Sequence, residues 1–176
     1  DEPIGALAPG AVGMTRWCAV GEDDGAVHTD FGITRLRPGG SAPTHVHSFE
    51  ESFTVMEGSV ILATPEATLR LVPGDYGVIP IGVPHAWRTD GDVDAVWADL
   101  YTPPARARNG FDTYRVPELP VVTPIAVDPR DPRTRSFGSI SVEHMNPGRQ
   151  SQELLAVSAS MRTALLVYSG ISLKMM

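Results

Sequence analysis

The chain has 176 residues, enough for one domain of roughly 150 residues and a remainder. Hydrophobic residues make up 42% and charged residues 20%, which supplies a packed core and excludes a mainly disordered chain. The formal charge of −7, with only short basic runs, leaves no electrostatic footprint for phosphates and excludes a nucleic-acid binder.

The 17 glycines and 16 prolines are spread along the chain in clusters such as PGG, VPGD and PIGVP, which interrupt helices and suit short strands joined by turns. Residues 1–26, rich in Gly, Ala and Pro, read as an extended N-terminal arm anchored by Met14 and Trp17. From His28 the runs HTDFGITRLRPGG, HVHSFEESFTVMEG, SVILATP, ATLRLVPGD, YGVIP, HAWRTDGD and VDAVWADLY follow one another. Each has strand length and ends in turn residues, so about seven or eight strands are expected over 27–102. An all-β barrel or jelly roll closes such a set economically, because closure hides the sheet edges.

Between Pro103 and Pro132 prolines recur every few residues, and 103–135 is expected to run as an extended strap. Its stretch DPRDPRTR reads as a solvated linker. Residues 136–176 again look like strand segments, with QELLAVSA a short helix, and SISVEHMNPG repeats the form of GITRLRPGG. Cys18 is alone, which excludes an internal disulfide and a cysteine zinc cluster and fits a reducing, cytoplasmic setting. The longest apolar stretches fall short of the roughly 20 residues that a membrane span needs, so no membrane partner is expected.

His45 and His47 are two apart, so in a strand their side chains share one face. Glu51 has the same parity, and a short irregular stretch at Ser48–Glu50 can bring its carboxylate to the same point. Glu50 turns outward by its parity. His85 follows the rigid turn PIGVP and can join from a neighbouring strand. Three neutral imidazoles and a carboxylate suit one divalent Mn, Fe, Co, Ni or Zn ion with coordination positions to spare. Taken alone, a strand HxH is read at least as well as a surface or hydrogen-bonded pair. Phe53, Val55, Ile79, Trp87 and Trp97 read as core, Arg35 and Arg37 as outward and solvated. His28, His144, Tyr76 and Cys18 have no partner motif.

The stretch GGSAPTHVHSFEESFTVMEG, Gly39 to Gly58, resembles the first motif of the cupin superfamily at every position. GDYGVIPIGVPHAWRT resembles the second, with Gly74, Pro80, Gly82 and His85 at the family spacings and Thr89 standing where asparagine is usual. The 15 residues between Gly58 and Gly74 are similar to those of compact microbial cupins. The resemblance implies an RmlC-like jelly-roll barrel over 27–102 whose metal ligands are His45, His47, Glu51 and His85. It also makes 136–176 similar to the opening of a second cupin barrel, so these strands are expected either to complete this barrel or a partner's, or to begin the second barrel of a bicupin.

Such a site serves three chemistries. The first reading is a dioxygenase acting on a small organic substrate, with Glu51 as catalytic base. The alternatives are a non-redox isomerase, decarboxylase or hydrolase, and a non-catalytic small-molecule-binding cupin. A homo-oligomer, most simply a dimer, is expected because small jelly rolls leave edges and apolar faces that a second barrel covers.

Overall fold

The computed structural model describes residues 2–105 and 112–140. The expected second cupin-like segment therefore lies outside the described residues beyond 140, together with its short helix and His144. Among the described residues there are twelve strands. They are β1 (Glu2–Pro3), β2 (Val12–Val20), β3 (Asp30–His47), β4 (Glu50–Glu57), β5 (Val60–Ala63), β6 (Thr68–Leu71), β7 (Asp75–Ile79), β8 (His85–Thr89), β9 (Ala95–Thr102), β10 (Thr113–Arg115), β11 (Ile125–Ala126) and β12 (Phe137–Ser139). One hydrogen-bonded path runs β11-β6-β5-β8-β3-β9-β4-β7-β12, with β2 and β10 also paired to β3 and β1 to β2. The fold is all-β, the jelly-roll class that the strand-and-turn pattern implies.

The strands begin earlier and end later than 27–102. Residues 12–20 of the arm form β2, which lies along the first half of β3 with Arg16 opposite Thr34 and Trp17 opposite Ile33. The proline-rich strap adds short strands to the sheet, β10 on β3 and β11 at one end of the path, while β12, the described start of the 136–176 segment, pairs with β7 at the other end and so joins this barrel. Proline explains the brevity of β10 and β11, since it cannot donate to a ladder.

β3 organises the barrel. Its first half turns even-numbered residues inward, Thr34 and Leu36 being buried, whereas its last residues bury His45 and His47. The change of parity falls at a register shift between Ala42 and His45 on β8, a bulge that re-aims the side chains. Without it the HxH pair would face away from the interior. Between β4 and β5 Gly58 adopts φ 68°, and a side chain there would run into the carbonyl of Asp94, so both conformation and space demand glycine.

The core is aromatic in its middle. Trp87 and Trp97 stack at 5.0 Å and 20°, and Phe53 meets Trp87 edge-on at 5.1 Å. Val55 and Ile79 are buried beside them, so the five residues read as core all pack there. Arg35 and Arg37 face outward, as expected. No helix among the described residues is long and apolar enough to cross a membrane.

Candidate metal centre

The end of β3, the start of β8 and the start of β4 bring four side chains together. His45 and His85 are directly opposite in the β3–β8 ladder, and their rings lie 4.2 Å apart. His47 follows two residues along β3, and its ring is 4.8 Å from that of His85. The chain leaves the ladder for Ser48 and Phe49, re-enters at Glu50, and buries Glu51 while Glu50 stays exposed. All four residues are nearly inaccessible, at most 4% exposed.

Backbone carbonyls fix the imidazole tautomers. Nδ1 lies 2.8 Å from the oxygen of Pro43 in His45, 2.6 Å from that of Phe49 in His47 and 3.0 Å from that of Val83 in His85. A carbonyl only accepts, so each Nδ1 must carry the proton and donate it, which leaves Nε2 as the free nitrogen of each neutral ring. One ligand nitrogen from each ring lies within 4.8 Å of the others, close enough for the three to hold one metal ion.

Glu51 Oε2 sits 3.3 Å from His47 Nε2 and 3.5 Å from His85 Nε2. Burial acts to raise the Glu51 pKa, but the close approach of the His47 and His85 rings outweighs it and holds the carboxyl below its usual range. His45 is driven the other way, down to about 4, chiefly by burial. The arrangement is short of positive charge. His85 Nε2 is buried with no hydrogen-bond partner, and with Nδ1 already donating, a neutral ring turns a lone pair toward the carboxylate. A cation among the three nitrogens and Oε2 satisfies every one of these groups, so the residues fit a divalent ion.

A second polar group lies in the same barrel and was not legible in the motifs. Arg16 of β2 donates from Nε to Asp99 Oδ1 at 2.7 Å and from Nη2 to Asp30 Oδ1 at 2.8 Å. Thr34 Oγ1 donates to Asp99 Oδ2 at 2.5 Å, and the guanidinium lies 4.4 Å over the Tyr101 ring. Tyr101, opposite Glu51 in the β4–β9 ladder, packs on Phe49, which stacks on His47 at 4.0 Å and 6°. The inward parity of Trp97, Asp99 and Tyr101 was the available signal: a charged residue at a core position of VDAVWADLY. Thr89 also finds a role, since its hydroxyl accepts from Gly39 N at 3.0 Å and contacts the Gly40 carbonyl at 3.4 Å, tying down the PGG turn.

No curated protein matches the chain in sequence. Among solved structures, the polyketide cyclase RemF from Streptomyces resistomycificus is 30% identical over 55% of this chain and 69% of its own, with a TM-score of 0.51. A cupin-like protein from Thermotoga maritima shares the fold at 18% identity and a TM-score of 0.52, over 61% of this chain and 80% of its own. The sequence profile of the cupin domain matches residues 32–101, the span that carries the long bulged strand, both motifs and the three-histidine cluster. With sequence profile, relative and strand order in agreement, the chain belongs to the cupin superfamily.

Proposed function

We propose that the protein is a metal-dependent enzyme that acts on a small, oxygen-rich organic molecule at the centre formed by His45, His47, His85 and Glu51. The observation that carries this reading is the set of three tautomer-locked imidazoles converging on one ionised, buried carboxylate. A bound divalent ion supplies Lewis acidity, stabilising negative charge as it develops on a substrate oxygen. The three histidines hold that ion without adding charge, and their Nδ1–H donors keep them from rotating away. Glu51 accepts the proton of an acidified C–H or O–H on the substrate at Oε2 and returns it at a later step. Burial excludes bulk water and strengthens both effects.

The likeness to a polyketide cyclase favours non-redox chemistry on a β-dicarbonyl or phenolic substrate over the dioxygenase reading. The dioxygenase remains as the second reading, favoured by the donor set itself, since three imidazoles and one carboxylate suit ferrous iron with two positions open. One experiment separates them. Protein loaded with zinc is expected to catalyse deuterium exchange at the central carbon of 2,4-pentanedione, and Glu51→Gln is expected to abolish it. Oxygen uptake with the iron-loaded protein and β-diketones or catechols, in the absence of zinc-supported exchange, would move the assignment to the dioxygenase. Neither activity with either metal would leave a binding protein.

A further inference from the structure

We propose that residues 112–119 of the strap, which lie beyond the matched cupin profile, are a working part of the centre, and that Glu118 is a positioning residue for His45 and His47, acting through Thr44. The inference rests on reading these histidines as metal ligands. Both sit in the last three residues of the 18-residue β3, and the β3–β8 ladder ends at the first of them, His45 opposite His85. A strand end held on one side frays, and ligand geometry tolerates only about 0.5 Å of error.

The strap closes the other side. In the β3–β10 ladder Thr113 lies opposite His47, Tyr114 opposite Val46 and Arg115 opposite His45, with Thr113 buried. Ser48 N donates to Asp112 O at 2.9 Å and Val116 N to Thr44 O at 3.1 Å, so the clamp reaches past both histidines. Glu118 fastens it. Its Oε2 accepts from Thr44 N at 3.2 Å and Thr44 Oγ1 at 2.7 Å, while Leu119 N donates to Thr44 Oγ1 at 3.1 Å. Every polar group of Thr44, the fully buried neighbour of His45, is thus met by a strap residue. Pro117 and Pro120 flank the latch and fix their own φ angles, which lowers the entropy lost in holding Glu118 in place.

The test compares Glu118→Ala and Glu118→Gln in the full chain. Zinc affinity is measured by competition with a chromophoric chelator, and amide hydrogen exchange of Val46–Ser48 is measured in metal-free protein. Those amides do not touch Glu118, so a local effect at Thr44 does not reach them. Glu118→Ala is expected to weaken zinc binding about tenfold, as loss of a group that orients a ligand does, and to speed exchange at Val46–Ser48. Glu118→Gln keeps an oxygen acceptor for Thr44 and is expected to stay within about twofold of the parent. Parent-like zinc affinity in Glu118→Ala would overturn the positioning role, with or without faster exchange. Should the parent bind no zinc, the metal reading fails by itself and exchange decides the latch: faster exchange in Glu118→Ala upholds it, unchanged exchange removes it.

Discussion

Two buried polar clusters share the barrel interior, and they differ in how completely they are matched. Around Arg16 each charge has its counter-group inside the protein: Asp99 and Asp30 take the guanidinium, Thr34 takes the second oxygen of Asp99, and the Tyr101 face covers the cation. Around His85 the opposite holds, with three Nδ1–H donors spent on carbonyls, Nε2 of His85 left without a partner, and a carboxylate among lone pairs. A closed cluster costs desolvation and returns specificity of packing. An open one has a place for something the chain does not contain. Unmatched acceptors gathered at one point, rather than burial of polar groups, are what mark the candidate metal centre.

The largest expected effect follows from deleting a member of the open cluster. His47→Ala is expected to lower zinc or cobalt affinity by more than about 100-fold, beyond the loss seen when a group that only orients a ligand is removed. Metal analysis after dialysis checks it, and stoichiometric metal in the variant would sink the assignment of His47 as a ligand.

Breaking the closed cluster should do the reverse, costing stability and sparing metal. Arg16→Met strands Asp99 as a buried carboxylate and is expected to lower unfolding free energy by about 3–5 kcal/mol, with metal stoichiometry unchanged. Gly32→Ala reaches the same end by a different route, because a methyl at Gly32 would occupy the space of the guanidinium. Denaturant midpoints and metal content of both variants decide whether the clusters are independent. Loss of metal in step with stability would show that they are one unit, coupled through Tyr101 and Phe49 to His47.

The open cluster was legible in sequence because its residues fall in short, fixed spacings around glycine and proline turns: Gly39 to Gly58, and Gly74 to His85. The strand class was legible for the same reason. The bulge between Ala42 and His45 was not, since nothing in SAPTHVH announces a change of parity; an unbroken alternation from Thr34 would have pointed both histidines outward. The closed cluster was hidden because its members come from three strands, with Arg16 and Asp99 83 residues apart. Arg16 lies in an arm with little periodicity, and the strap's hold on Thr44 depends on a glutamate 74 residues away. Local pattern carries motifs; it does not carry contacts between distant strands.

The smallest effect sharpens the comparison through pH, because the two clusters titrate in opposite senses. Burial lowers His45 to about 4 from its ordinary 6.5, so between these values the unfolded chain takes up a proton that the folded one refuses. That contribution to stability is complete above pH 6.5 and is lost as pH falls toward 4. Asp99 is raised to about 6 from 3.8 by burial, which outweighs the charge of Arg16 and the Thr34 hydrogen bond. Its contribution is complete below pH 3.8 and is lost as pH rises through 6. The two windows overlap, each worth about 3 kcal/mol at most, and they offset one another between pH 4 and 6. Metal-free His45→Gln, left with Asp99, is expected to lose stability as pH rises across that range, and metal-free Asp99→Asn, left with His45, to gain it. Denaturant midpoints at pH 4, 5 and 6 read the slopes directly. Equal slopes in the two variants would mean that neither buried group is shifted as its surroundings require, and the contrast between an open and a closed cluster would lose its electrostatic basis.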